Sequence, residues 1–275
     1  MRAFGGMSAC HDVPGMNRRP TERFSDRVEH YRRCRPGYPP AFYTEVQALC
    51  GLAPHHAVAD MGAGTGLSAE PFLRAGHRVI GVEPNWPMAA AGARSLRPWP
   101  AFAMLNATAE RTGLAAGSVD CIAAGQAFHW FDADSAAREW RRIARPDAWI
   151  VLFWNSRRTD STPFLRAYET FLCEHGTDYR DVAERQASPG DMAVVFSGAP
   201  TREAALPNRQ VFDWEGLKGR ALSSSYLPEA GTPRGQRMLG ALATLFDAHA
   251  DASGNVTFEY DTRIYAGPAT PRGRT

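Results

Sequence analysis

The stretch "VADMGAGTGLSAE", residues 58–70, decides how the rest of the chain is read. A short apolar run ends in an acid, Asp60. Glycines then occupy alternate positions at 62, 64 and 66, and the pattern turns helical. A strand, a glycine turn and a helix in that order place backbone N–H groups around a ligand. A dinucleotide loop needs G-x-G-x-x-G, but here the third glycine falls one position early and Leu67 takes its place. Asp60 argues the same way, because a carboxylate beside the helix start repels a pyrophosphate and attracts a cation. At the end of the next strand, "HRVIGVE", stands Glu83, where a carboxylate accepts both hydroxyls of a ribose. The pocket therefore calls for a ribose, close backbone approach and a positive charge. S-adenosylmethionine, with its sulfonium and ammonium groups, meets all three demands.

The surrounding pattern supplies the frame. From residue 56 onward, apolar strands alternate with amphipathic helices. "AVADM" leads to a helix beginning near Ser68, with Ser68 as its cap, and stopping before Gly76. "HRVIGVE" leads to "NWPMAAAGARSL", capped by Asn85, with Pro87 in the first turn. "AFAMLNAT", "SVDCIAAG" and "AWIVLFW" give three further strands, the last two separated by a helix around "SAAREWRRIA". This alternation predicts an α/β fold: a doubly wound, mainly parallel sheet with helices on both faces and a ligand at the carboxyl ends of the strands.

Composition bounds the rest. A chain of 275 residues with 44% hydrophobic content buries a substantial core. Its net charge of +2 gives no general pull toward nucleic acid or anionic membrane. The arginines at 18, 19, 23, 27, 32, 33 and 35 form a local basic run, read as the wet side of a helix. Cys10, Cys34, Cys50, Cys121 and Cys173 are odd in number and scattered, which argues against a disulfide framework or a zinc knuckle and makes a cytoplasmic location the expectation. Residues 1–20 and the segment from Pro268 onward read as loose tails, without a signal-type apolar run and with no membrane span in the chain.

Taken together, "VADMGAGTG", "VIGVEPN", "SVDCIAAGQAFHWFD" and "WIVLFWN" resemble the class I S-adenosylmethionine-dependent methyltransferases, specifically the bacterial type 11 group similar to trans-aconitate methyltransferase. The likeness extends to "FSDRVEHYRRCRPGYP" on one side and to "LKGRALSSSYLPEAG" and "FEYDTRIYAG" on the other. It implies a Rossmann-like seven-stranded sheet, closed by "VTFEYDTRIYAG" as an antiparallel edge, with an N-terminal helical lid and an inserted or C-terminal helical cap. One domain would run over residues 21–267, with the acceptor pocket drawn from about 156–250.

Residue by residue, the resemblance implies that Asp60, Gly62, Gly64 and Gly66 lie under the methionine part and that Glu83 takes the ribose. Ala109 and Glu110 would border the adenine, and Gln126 would flank the cofactor. Tyr31, Arg35 and Tyr38 would form the lid, with Tyr38 reaching the substrate. Where the family has Pro-Gly-Gly before the fifth strand, this chain has Pro146, Asp147 and Ala148, and Asp tolerates the left-handed turn required. Past the fourth strand, His129 is placed to take a proton from an acceptor, or else to sit in the core with Phe128, Trp130 and Phe131. Trp130 and Trp154 offer aromatic faces to a sulfonium or a flat substrate, and Asn155 can orient a polar group. Ser223, Ser224, Ser225 and Tyr226 either end a helix or face the substrate.

The function implied is methyl transfer to an O, N or C atom of a small molecule, with no metal. A cyclase that turns the same cofactor into azetidine-2-carboxylate and methylthioadenosine is the alternative. RNA methylation and a non-catalytic sensor remain open behind them.

Overall fold

The computed structural model describes residues 34–177, 179, 189–224 and 226–270. Within them a seven-stranded sheet has the order β3-β2-β1-β4-β5-β7-β6. Strands β1 (Ala57–Met61), β2 (Arg78–Val82), β3 (Phe102–Leu105), β4 (Val119–Gly125) and β5 (Ala144–Arg157) run parallel. Strands β6 (Arg202–Phe212) and β7 (Val256–Pro268) are antiparallel to their neighbours. The chain winds outward from β1 to β3 and returns to start again at β4. The order therefore reverses between β1 and β4, the position where open α/β sheets bind ligands.

Both faces of the central strands are covered, which is why they are mainly apolar, with Asp60 a buried exception in β1. Along β4 and β5, Ile122, Ala124, Ile150 and Leu152 join one core with Trp140 and Ile143 of helix α4 (Ala133–Ile143). The alternate residues Cys121, Ala123, Val151 and Phe153 join a second core. That second core takes Phe42 and Val46 from α1 (Phe42–Cys50) and Phe72 from α2 (Glu70–Arg74). A third core holds together α5 (Pro163–His175), α7 (Trp214–Leu222) and α8 (Pro233–His249) around Tyr168, Leu217, Met238 and Phe258. The remaining helices are α3 (Trp86–Ser95) and α6 (Pro189–Val195).

Several local expectations match. The Asn85 side chain accepts from Met88 N–H at 3.1 Å to cap α3. Gly76 follows α2 with φ +88°, and Asp147 takes the left-handed turn before the core of β5 at φ +64°. Other expectations are corrected. Ser68 caps nothing: α2 begins two residues later, after Ala69, and the Ser68 hydroxyl donates to Asp60 instead. Strand β7 does not form the edge of the sheet. It lies between β5 and β6, and β6 is the edge. The "TREAALPNRQVF" segment hides its strand character because one face is exposed and Pro207, which cannot donate to a ladder, sits in its middle. Pro268 still belongs to β7 and Ala269 is buried, so the core reaches past the start of the expected tail. Residues 1–20, the arginine run from 18 to 33, Tyr31, Ser225 and residues 271–275 lie outside the described residues.

Candidate functional site

Strand β1 is buried along its whole length and ends at Met61, so the loop that follows is delivered to the carboxyl edge of the sheet. Gly62 there has φ +67°, and a Cβ on it would stand 2.5 Å from Ala127 Cβ in the loop after β4. Gly66, at φ +87°, would meet Leu96 at the end of α3 at the same distance. Neither position accepts a side chain, and the loop is pinned between its two neighbours.

Two carboxylates flank this loop. Glu83, directly after β2, accepts the N–H of Gly64 at 3.0 Å on Oε2 and that of Asn85 at 2.8 Å on Oε1. Burial raises its pKa, and the two backbone N–H groups oppose the rise. Each oxygen keeps a lone pair for a ligand hydroxyl. Asp60 is fully buried; its Oδ2 accepts from Ser68 Oγ at 2.6 Å, while Oδ1 has no partner among the described residues. Burial chiefly raises Asp60 to about 7, against the Ser68 hydroxyl, with the charge of Glu83 adding to the rise. Among the described residues, no Lys or Arg pairs with either acid. Two uncompensated acids around a glycine loop suit a cation bearing a ribose and repel a pyrophosphate.

The loop opens on a cavity of about 510 Å³ at the carboxyl ends of β1, β2, β4 and β5. Gly62, Gly64, Glu83 and Gln126 line it, as do His129 and Trp130. Gln126 has φ +58°, unusual for a residue with a side chain, and its Nε2 donates to the Asn155 carbonyl at 3.2 Å. His129 and Trp130 occupy a single 3₁₀ turn, Phe128–Trp130, with ring centroids 4.9 Å apart. Phe128, the third aromatic, is buried. Arg35, Tyr38, Trp154, Asn155 and Tyr226 complete the sequence-derived set within the cavity wall. Arg35 Nη2 donates to the Ser223 carbonyl at 3.2 Å, which links the N-terminal segment to the end of α7. Tyr38 packs against Phe42 and Phe153. Trp154 meets Tyr265 edge-on, and its Nε1 has no acceptor among the described residues.

Other candidates are used differently. Asn155 touches the cavity, but its amide is fully engaged within the protein. Nδ2 donates to Gly37 O and Pro36 O, while Oδ1 accepts from Thr262 Oγ1 at 2.5 Å and Asn208 Nδ2 at 3.1 Å. It holds the 36–37 backbone against β5, β6 and β7, which leaves no free polar atom for catalysis. Ser224 is buried, accepts from Arg220 Nη1 at 3.2 Å and bonds to the Arg220 carbonyl, so it finishes α7 rather than lining the cavity. Asp60 and Gly66 lie behind the loop surface. Ala109 is buried and its carbonyl accepts from Trp140 Nε1 at 3.1 Å. Glu110 accepts the Asp132 N–H at 3.1 Å, latching the loop after β3 to the start of α4. Neither Ala109 nor Glu110 lines the cavity.

Sequence reasoning missed the far wall, formed by Arg157, Glu169, Tyr179, Arg220 and Tyr260. Arg157 pairs with Glu169, and Tyr179 Oη bonds to both. The available signal was Arg220 on the same inward face of α7 as Leu217 and Ala221, all three buried.

Comparison with known proteins agrees with this geometry. Residues 59–152 match Methyltransf_11, described as a methyltransferase domain. A protein described as an uncharacterized methyltransferase of Mycobacterium tuberculosis is 36% identical over 160 residues, covering 58% of this chain and 62% of the relative. Another uncharacterized methyltransferase, from Schizosaccharomyces pombe, is 26% identical over 150 residues, covering 54% of this chain and 58% of the relative. The chain thus spans about three-fifths of the length of these relatives. A solved structure from Anaeromyxobacter dehalogenans, provisionally described as a type II methyltransferase, superposes with TM-score 0.65 at 22% identity, over 86% of this chain and 99% of that one. A SAM dependent methyltransferase from Aquifex aeolicus gives 0.50 at 13% identity, over 88% and 97%. At those identities the two structures bear on the fold alone. By sequence match, residues 59–152 are similar to a methyltransferase domain, and the strand order and the acid-flanked glycine loop agree with that likeness.

Proposed function

We propose that the chain transfers the methyl group of S-adenosylmethionine to an O, N or C atom of a small molecule. The reading rests on one observation above others: a glycine loop held between Asp60 and Glu83, with no cationic partner for either acid among the described residues. The narrower likeness, to the type 11 group similar to trans-aconitate methyltransferase, belongs to the same proposal. So do a single domain over residues 21–267 and a cytoplasmic location. Among the described residues, no helix is long and apolar enough to cross a membrane.

Bound S-adenosylmethionine supplies an activated methyl on a sulfur that leaves readily. The chain's part is then mainly positioning. Glu83 receives the ribose hydroxyls on an already oriented carboxylate. Asp60 favours positive charge behind the loop. Gly62 and Gly64 let the backbone approach closely, and Gln126 closes the side toward β5. His129, at the cavity wall, takes the proton from an acceptor oxygen or nitrogen. Trp130 and Trp154 exclude water and hold an apolar body.

Incubating purified protein with S-adenosylmethionine and a panel of small acids, phenols and heterocycles tests this reading. S-adenosylhomocysteine should form only when an acceptor is present. Methylthioadenosine forming without an acceptor would establish the cyclase instead, and neither product would leave a binding protein.

A further inference from the structure

The far wall of the cavity contains a charge that no carboxylate balances among the described residues. Arg220 sits in the last turn of α7, is 6% exposed, and still lines the cavity. No carboxylate among the described residues pairs with it. Its Nη1 donates to the neutral Ser224 hydroxyl, its side chain also hydrogen-bonds Tyr260, and its Nε has no acceptor among the described residues. A guanidinium stripped of water is costly unless an anion and a full set of hydrogen bonds replace that water. The last turn of a helix offsets a small part of this cost, because the helix dipole favours a cation there.

Its surroundings narrow the anion. Arg157 also lines the cavity, and its Nη1 has no partner among the described residues, but Glu169 already neutralises its charge. Among the described residues, Arg220 is thus a buried guanidinium on the cavity wall with no carboxylate partner, which a single negative charge would match. The phenols of Tyr226 and Tyr260 share the wall, with Trp154 and Tyr265 beyond them. Although burial opposes ionisation of Tyr226, Arg220 and Arg35 hold its phenol below the ordinary value, a sign of positive potential at this end. A guanidinium with an unused Nε–H can give a carboxylate a charge-assisted hydrogen bond, and the aromatic walls suit a flat or unsaturated body.

We propose that Arg220 is a specificity-determining residue that selects an acceptor carrying one carboxylate on an apolar, unsaturated or aromatic body. This deepens the methyltransferase reading and rests on it. A site built around a buried donor rejects an analogue that cannot answer it, so the matching amide should bind poorly. The cofactor's own carboxylate is the competing source of the same chemistry.

The test uses the full chain saturated with S-adenosylhomocysteine, titrated with aromatic and unsaturated monocarboxylic acids (benzoate, phenylacetate, cinnamate, sorbate) and, separately, with the amide of each. The wild type should prefer at least one acid over its amide by tenfold or more. Arg220→Met should weaken that acid by about a hundredfold and leave the amide nearly unchanged. Arg220→Lys, which keeps the charge and guards against misfolding of the Met variant, should retain part of the preference. Affinity for S-adenosylmethionine should stay within about twofold in both variants. Equal binding of acids and amides by the wild type, no acid bound at all, or equal losses for both in Arg220→Met would overturn the proposal. A parallel fall in S-adenosylmethionine affinity would also overturn it, by assigning Arg220 to the cofactor. Failure of the wild type to bind S-adenosylhomocysteine would instead strike the functional reading itself.

Discussion

Glu83 Oε2 accepts the backbone N–H of Gly64 at 3.0 Å, which ties the carboxylate at the end of β2 to the glycine loop at the end of β1. Ribose recognition and the shape of the loop are therefore one structural unit. Glu83→Gln should lower S-adenosylmethionine affinity by about ten- to a hundredfold, the scale of a hydrogen bond to a charged group. It should also lower Tm, because an amide nitrogen would face the N–H of Gly64 or Asn85. Calorimetry beside a thermal melt checks this, and unchanged affinity would remove Glu83 from the cofactor's contacts.

The elevated pKa of Asp60, about 7 and due first to burial, gives the site a pH signature. In the free protein the folded pKa lies above the ordinary 3.8, so the native state holds more protons between those values. On that account the Asp60 contribution to stability is fully present below 3.8 and is lost as pH rises through about 7. A cationic ligand prefers the ionised acid. S-adenosylmethionine should therefore bind more tightly at pH 8 than at about pH 6, releasing a proton in the acid range. Titrations in two buffers of different ionisation heat measure that proton. Asp60→Asn should abolish its release, and a pH-independent affinity in the wild type would contradict the assignment.

Asn155 has two donors and two acceptor positions in use, so removing its amide takes a bond from four partners, of which Gly37 O and Asn208 Nδ2 still hold each other at 2.8 Å. Asn155→Ala should destabilise the protein by about 2–3 kcal/mol, the range for unsatisfied buried polar groups. Turnover of the remaining folded protein should hold within a few-fold. A large loss of turnover with unchanged urea stability would return Asn155 to the chemistry.

His129→Ala should slow methyl transfer to an oxygen or nitrogen acceptor by about a hundredfold or more while leaving cofactor binding intact. Steady-state rates with a separate binding titration distinguish the two effects. Unchanged turnover would make His129 a packing partner of Trp130.

What could be read from the sequence was what short spacing fixes. Asp60, the alternate glycines and the caps at Asn85 and Gly76 depend on residues a few positions away, and Glu83 on one strand-helix-strand step. The roles of Asn155 and Ser224 depend on folding distant segments together: Asn155 is held by Gly37, Asn208 and Thr262, which only the closed sheet brings to it. Strand β6 escaped because an exposed edge needs no apolar stripe. Arg220 escaped because an arginine on a short helix looks like surface until its burial is seen.

The most direct test of the central claim, that two acids around the loop select a cationic sulfur nucleoside, is calorimetric titration of the purified chain with S-adenosylmethionine and with NAD. The account predicts saturable one-to-one binding of S-adenosylmethionine and none of NAD at the same concentrations. Binding of NAD without S-adenosylmethionine would contradict it.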